Sequence, residues 1–244
     1  MKFIVVIPAR LASSRLPGKP LVDIGGKSLI QRTWEQTVKA VAPELVYVAT
    51  DDESIVLHCK ALGIQTIMTS DKCLTGTDRV AEVAIQIIAD YYINVQGDEP
   101  VINPDDILAT IKASTIYPGE VINGFAPIKS EQDYRSLTIP KVVARPDGRL
   151  LFMSRSPIPG NKANAFMKAW KQVCVYAFPR QSLFDYTGTN NKTELEEMED
   201  LEMLRFLELG YDVRMIPLSP ESIAVDTPAD VEKVLQYLKQ NNLK

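Results

Sequence analysis

Phe3-Ile4-Val5-Val6-Ile7 is an unbroken apolar run dominated by β-branched residues. A strand that is apolar on both faces has to be covered on both faces, and a parallel sheet flanked by helices does this. The chain then repeats the theme. Ser28 to Ala40 reads as a helix with Leu29, Ile30, Thr33, Trp34 and Val38 on one face, and Leu45 to Ala49 as a strand. Asp52 to Leu62 is a helix with acidic residues in its first turn and a stop at Gly63, and Ile64 to Met68 is a third strand. Asp78 to Ala89 reads as a helix, Tyr91 to Val95 as a fourth strand, and Pro104 to Ala113 as a helix opened by proline. The order predicts an α/β fold, a doubly wound and mostly parallel sheet with helices on both faces. Ligands bind such sheets beyond the carboxyl ends of the strands, so the loops after Ile7, Ala49, Met68 and Val95 are expected to converge.

The second half changes character. Lys141 to Arg145 and Arg149 to Met153 flank Pro146-Asp147-Gly148, the pattern of a β-hairpin. Val173 to Phe178 reads as a strand, Glu194 to Leu209 as one long helix stopped by Gly210, and Asp212 to Ile216 as a strand. Thr227 is the expected N-cap of a last helix, with Asp230 three residues on. No repeat or low-complexity linker interrupts the 244 residues. The expectation is a single domain over 1–244, with a small hairpin-containing subdomain over about 120–190 on the edge of the main sheet, a place for a dimer contact.

Composition excludes several classes of function. The net charge is −4 and no Lys/Arg-rich run stands out, which argues against a nucleic-acid partner. The apolar runs are short, so no transmembrane helix is expected. Met1 to Ile7 is too short for a signal peptide and no small-residue cleavage site follows, so the expected location is the cytoplasm. The three cysteines, Cys59, Cys73 and Cys174, match no zinc or Cys-x-x-Cys spacing and read as reduced thiols. The only histidine, His58, lies in a helical stretch far from any serine motif and reads as incidental.

Four segments carry the chemistry. The loop Pro8 to Pro20 holds Arg10, Arg15 and Lys19 among small residues, and it follows the first strand. Small residues let backbone N–H groups approach a ligand, and Arg and Lys supply charge for phosphate oxygens. The spacing is neither that of a Walker A loop nor Gly-x-Gly-x-x-Gly. Gln96-Gly97-Asp98-Glu99-Pro100 follows the fourth strand. Asp98 there suits a Mg²⁺ held by one or two carboxylates plus substrate phosphates, or it simply caps a turn. Asp226, before Thr227-Pro228, is a helix-start signal on its own and a second metal carboxylate when paired with Asp98. Thr75-Gly76-Thr77-Asp78-Arg79 is either an ordinary capped helix start or a turn that takes a base or ribose edge.

Taken together, the stretches Ile7–Leu21, Ala49–Glu53, Thr75–Arg79, Asn94–Pro100, Ser154–Pro159 and Ala224–Pro228 resemble the 3-deoxy-manno-octulosonate cytidylyltransferases (CMP-Kdo synthetases), in the same order from residue 2 to about residue 235. The resemblance implies a Rossmann-like nucleotidyltransferase fold and a homodimer. The implied reaction transfers CMP from CTP to Kdo with loss of pyrophosphate, feeding lipopolysaccharide or capsule synthesis. By the same resemblance Arg10, Arg15 and Lys19 are triphosphate cations, and Ala9, Ser13, Thr75, Gly76, Arg79 and Gln96 complete the nucleotide site. Asp98 and Asp226 are the Mg²⁺ ligands and, with Lys19 and Arg10, the catalytic set. Arg155, Gln172, Tyr176 and Glu202 look like the sugar-binding residues. The chain departs from the pattern where Gln172 replaces a histidine, Phe178 a tyrosine and Met203 a glutamine. Sites built around hydroxyl hydrogen bonds reject substrates that lack them, so these changes also raise the same reaction on a different acidic sugar or other anionic acceptor. A nucleotide-binding protein without catalysis would need damage to the metal or phosphate groups, and none is visible in the sequence.

Overall fold

The computed structural model describes residues 1–189 and 191–243. In chain order the elements are β1 (Phe3–Ala9), α1 (Leu29–Ala40), β2 (Val46–Thr50), α2 (Glu53–Ala61), β3 (Thr66–Met68), α3 (Gly76–Gln86), β4 (Tyr91–Val95) and α4 (Pro104–Ile116). They continue with β5 (Val121–Pro127), α5 (Glu131–Arg135), β6 (Lys141–Ala144), β7 (Leu150–Ser154), β8 (Trp170–Pro179) and α6 (Arg180–Gly188). Last come α7 (Glu194–Glu199), α8 (Glu202–Glu208), β9 (Val213–Pro217) and α9 (Pro228–Gln240). The chain divides into two compact units, Met1–Leu108 with Glu221–Lys244, and Ala109–Pro220. The residues expected to form a subdomain at about 120–190 all fall within the second.

In the first unit β1 pairs in parallel with both β2 and β4, and β2 with β3, giving the order β3-β2-β1-β4. Val5, Val6 and Ile7 are fully buried, as the unbroken apolar run requires. Val225, Val234 and Leu238 pack with Ile24, Leu29 and Val101, so α9 closes over the loop after β1 and the segment after β4. Asp226 enters the unit at this point, although it is distant in sequence from the strands.

The second unit is mixed. β5 pairs antiparallel with β8 and parallel with β9, and the β6–β7 hairpin joins through β6 to β8. The Pro-Asp-Gly turn joins β6 to β7 as read from the sequence. Beyond the turn, Arg214 on β9 donates to both carboxylate oxygens of Glu120, at 2.7 and 2.9 Å, and to the carbonyl of Asp147. These bonds pin the hairpin tip.

One expected helix is two. The run from Glu194 to Leu209 breaks at Asp200, which adopts the left-handed conformation at φ 51° and ψ 49°. Tertiary partners favour the break. Arg155 donates to the carbonyls of Glu199 and Asp200, at 2.7 and 3.0 Å. Arg205 on α8 folds back onto Glu196 of α7 in a pair that is almost wholly buried. A straight helix would have used those carbonyls internally. The unexpected elements are β5, α5 and α6, and α3 begins at Gly76, two residues before its expected start. His58, read as incidental, meets Ser28 at 2.8 Å, and that serine caps α1 by accepting from the amide of Gln31.

Asp230 links local structure to pH. It accepts from the amide and hydroxyl of Thr227 and from Lys233, closing the capping box of α9. Burial opposes its charge, but these donors outweigh it and lower its pKa from 3.8 to about 2. A carboxylate with a depressed folded-state pKa stabilises fully above its unfolded value, and that contribution fades as pH falls through the folded one. Asp230→Asn is therefore expected to flatten the loss of stability between about pH 4 and pH 2, measured by urea unfolding across that window against the unmodified protein.

Candidate active site

All the residues expected to hold nucleotide and metal lie in the first unit. β1 ends at Ala9, and the loop that follows turns through Gly18, at φ 65°, into a short 3-10 turn begun by Lys19. The positive φ is one that a side chain disfavours. Lys19 extends to two carboxylates, with its Nζ 2.7 Å from Asp98 Oδ2 and 3.1 Å from Asp226 Oδ1. Arg15 joins the second of these at 3.2 Å. Lys19 is 19% exposed and Asp98 25%, so the group is sheltered without being sealed. Burial alone would lower the Lys19 pKa; the carboxylate of Asp98, with that of Asp226, reverses the effect and raises it above 10.5. The lysine stays charged.

Backbone contacts fix the positions of these groups. The amide of Val225 donates to the carbonyl of Asp98 at 2.9 Å, tying the segment that carries Asp226 to the loop after β4. Thr33 on α1 donates to the carbonyl of Gly97 at 3.1 Å. At Gly97 a β-carbon would lie 2.5 Å from the carbonyl oxygen of Pro8, so the loop after β4 meets the end of β1 this closely only because that position has no side chain. Glu99 turns inward, 4% exposed, and accepts from Ser222. Its neighbour Asp98 faces Lys19.

The nucleotide residues separate into two kinds. Arg10 is exposed, and no carboxylate pairs with it among the described residues. Ser13 accepts from the amide of Leu16 at 3.4 Å. Thr75 caps α3 in a box with Asp78, and a β-carbon on Gly76 would sit 3.5 Å from both Gln96 and Pro8, so Gly76, Gln96 and the end of β1 share one location. Arg79 differs from the expectation: it is 3% exposed and donates to Asp51 at 2.8 Å and to Thr69. Its guanidinium is committed inward because α3 presents that face to the ends of β2 and β3. The sequence signal for its partner was Asp51-Asp52, of which Asp52 caps α2 and Asp51 is left for the arginine.

The sugar-binding candidates all lie in the second unit. Arg155 is held by its three donations, to Glu199, Asp200 and, at 3.3 Å, Leu137. Glu199 in return accepts from Ser154 and from the Arg155 amide, at 2.6 and 2.8 Å. Glu202 opens α8 just after the break. Gln172 donates to Asn123 at 3.0 Å and to the Tyr176 hydroxyl at 3.4 Å. Tyr176 stacks on Phe178, and Phe178 on Phe206. Phe178 is fully buried in this stack, which explains why an apolar ring is tolerated there. Lys141 is fully buried and donates to the carbonyls of Ser136, Ile139 and Arg155. Burial, then the Arg155 guanidinium, holds its pKa below 10.5. Sequence reasoning missed Asn123, Lys141 and Glu199. Only Asn123 left a signal: a polar residue before Gly124 within an otherwise apolar strand, which is how a bulge reads.

Two substitutions test this framework. Gly97→Ala forces its β-carbon against the Pro8 carbonyl and is expected to cost about 1–3 kcal/mol, measured by denaturant unfolding. Lys141→Met leaves three part-buried carbonyls without their donor and is expected to cost about 1–3 kcal/mol, read in the same way.

Known proteins resemble this chain over nearly its whole length. The family model described as cytidylyltransferase matches residues 4–216. The 3-deoxy-manno-octulosonate cytidylyltransferase of Protochlamydia amoebophila is 38% identical, over 99% of this chain and 96% of its own length. That of Geobacter metallireducens is 42% identical, over 98% and 99%. A solved structure of a CMP:2-keto-3-deoxy-manno-octonic acid synthetase complexed with CTP superposes with a TM-score of 0.91 at 38% identity, covering 99% of this chain and all of the other. HddC of Yersinia pseudotuberculosis, 14% identical with a TM-score of 0.71 over 98% of this chain and all of its own, shares the fold. The sequence and the fold together place this chain in the family of the 3-deoxy-manno-octulosonate cytidylyltransferases.

Proposed function

We propose that this chain transfers CMP from CTP to 3-deoxy-manno-octulosonate, giving CMP-Kdo and pyrophosphate for lipopolysaccharide or capsule synthesis, in the cytoplasm and as a homodimer. The observation that carries the reading is the ammonium of Lys19 shared by Asp98 and Asp226 at the strand ends, in a chain 38–42% identical to named enzymes of this kind. The sugar's anomeric oxygen attacks the α-phosphorus of CTP. A new P–O bond forms, the bond to the β-phosphate bridge breaks, and the hydroxyl proton is shed as pyrophosphate leaves. Such a reaction asks the protein to align the attack and neutralise charge.

The residues divide that work. Arg10, exposed and with no carboxylate partner among the described residues, and Arg15 take the β- and γ-phosphate oxygens, and Lys19 takes charge that develops on the α-phosphate and leaving group. Gly76, Gln96, Thr75, Ser13 and Ala9 form the floor against which ribose and base lie. Arg79 acts from behind, its hold on Asp51 and Thr69 fixing the approach to α3. Asp98 and Asp226 offer hard oxygen donors that already share one cation, Lys19, which fits them to hold Mg²⁺ together with substrate phosphates. When bound there, the metal ion supplies neutralising charge and lowers the pKa of the attacking hydroxyl. Arg155, Gln172, Tyr176 and Glu202 receive the acidic sugar.

One observation favours a second acceptor reading. Where relatives of this family typically carry a histidine, Gln172 presents an amide already bonded to Asn123 and Tyr176. A different hydrogen-bonding group at that position suits another acidic sugar or anion.

The protein is incubated with CTP, Mg²⁺ and a panel of acidic sugars, and pyrophosphate is measured. Release with Kdo is expected. Release only with another acid moves the assignment to that acid, and none with any acid ends the reading. Asp98→Asn is expected to bring turnover to background with the fold intact, and Lys19→Met to lower kcat by about 10²–10³.

A further inference from the structure

Between β5 and β8 the antiparallel ladder slips. Asn123 stands opposite Tyr176 and Gly124 opposite Val173, so Cys174 and Val175 have no counterpart on β5. Such a bulge strands carbonyls that a regular ladder would pair. The side chain of Asn123, wholly buried, fills the gap: its Nδ2 donates to the carbonyls of Val173, at 2.9 Å, and of Val175, at 3.0 Å. A β-carbon on Gly124 beside it would meet Leu218 Cδ1 at 2.2 Å, so that side chain occupies the space a larger residue would need. Strand slip, buried amide and glycine form one local unit.

That unit fixes more than the strand. An asparagine amide has two N–H donors and one oxygen. Both donors of Asn123 are used by backbone carbonyls, which cannot donate in return, so its Oδ1 must face the other way, toward Gln172. Gln172 answers with Nε2, at 3.0 Å, and the same nitrogen reaches the Tyr176 hydroxyl at 3.4 Å. The Gln172 amide therefore cannot flip without setting oxygen against oxygen at Asn123. Its Oε1 is left without a partner among the described residues, on a half-buried side chain.

We propose that Asn123 is a positioning residue that locks the Gln172 amide so that Oε1 offers a fixed hydrogen-bond acceptor to a hydroxyl of the acceptor sugar, and not to its carboxylate. This rests on the reading that the second unit receives the acidic sugar. An acceptor-only atom rewards a donor and repels an anion, so Gln172 reads a hydroxyl while the sugar's carboxylate is taken by a cationic group. Unlike an imidazole, the amide does this without titrating across the physiological range.

Two measurements test the proposal. In ¹⁵N-labelled protein without substrates, the Gln172 side-chain NH₂ is expected to exchange slowly with solvent, and to lose that protection in Asn123→Ala. In kinetics at saturating CTP, monodeoxyfluoro analogues of the accepted sugar are compared, since fluorine cannot donate. The unmodified protein is expected to discriminate against one analogue at least about tenfold in kcat/KM. Gln172→Leu and Asn123→Ala should reduce that factor below about threefold, with the KM for CTP unchanged. Should Asn123→Ala fail to fold, Gln172→Glu replaces it: it keeps an acceptor but cannot donate to Asn123, and should raise the sugar KM at least about tenfold at constant KM for CTP. Fast exchange of the Gln172 amide in the unmodified protein overturns the lock whether or not any sugar is turned over. Unchanged discrimination in Gln172→Leu, or an unchanged sugar KM in Gln172→Glu, overturns the role in specificity. A protein that shows slow exchange but turns over no acid fails the functional reading instead.

Discussion

One ammonium group organises the first unit of this protein. Two carboxylates as close as those of Asp98 and Asp226 repel each other unless a cation stands between them, and Lys19 is that cation. It can be there because β1 delivers its loop to the same end of the sheet as β4, and because Gly97 lets the loop after β4 press against the end of β1. The charge balance and the backbone geometry depend on each other. Without the close approach the lysine would not span both acids; without the lysine two half-buried acids would push the loops apart.

The second unit is organised on a different principle. Alongside the ion pairs of Arg205 and Arg214, backbone carbonyls satisfy several of its polar groups: Lys141 takes three of them, Arg155 three, Asn123 two. The carbonyls left over from the bulge go to the buried amide of Asn123, and those at the broken helix to the half-buried guanidinium of Arg155. This gives precise placement of side chains in segments with little regular structure of their own.

Much of this was legible in the residues, and the part that was not has a common physical cause. Unbroken β-branched runs and capped helices revealed the parallel strands of the first unit, because burial on both faces leaves a pattern that no other arrangement tolerates. The loops that carry Lys19 and Asp98 were legible together for a related reason, since strand ends in such a sheet converge; Asp226 follows none of those strands and joined them only through the resemblance to the cytidylyltransferases. The inward turn of Arg79 was not, since a cation in a helix looks the same whether it meets solvent or Asp51. Nor was the break at Asp200, because the sequence from Glu194 to Leu209 favours a helix, and carbonyl-seeking groups far away, Arg155 among them, decide otherwise. The role of Asn123 was hidden because a bulge is a relation between two strands, and only one is visible at a time in a sequence.

The pairing of Lys19 with Asp226 spans 207 residues of chain. At ribosomal rates, roughly 5–20 residues per second, about 10–40 s separate the synthesis of the two partners. For that interval a nascent chain carries Lys19 with at most one of its two acids. The parallel strands of the first unit can begin to pair, but the charge cluster stays incomplete until the segment before α9 arrives. Its completion is thus a late event in the life of each molecule, set by the order in which the chain is made.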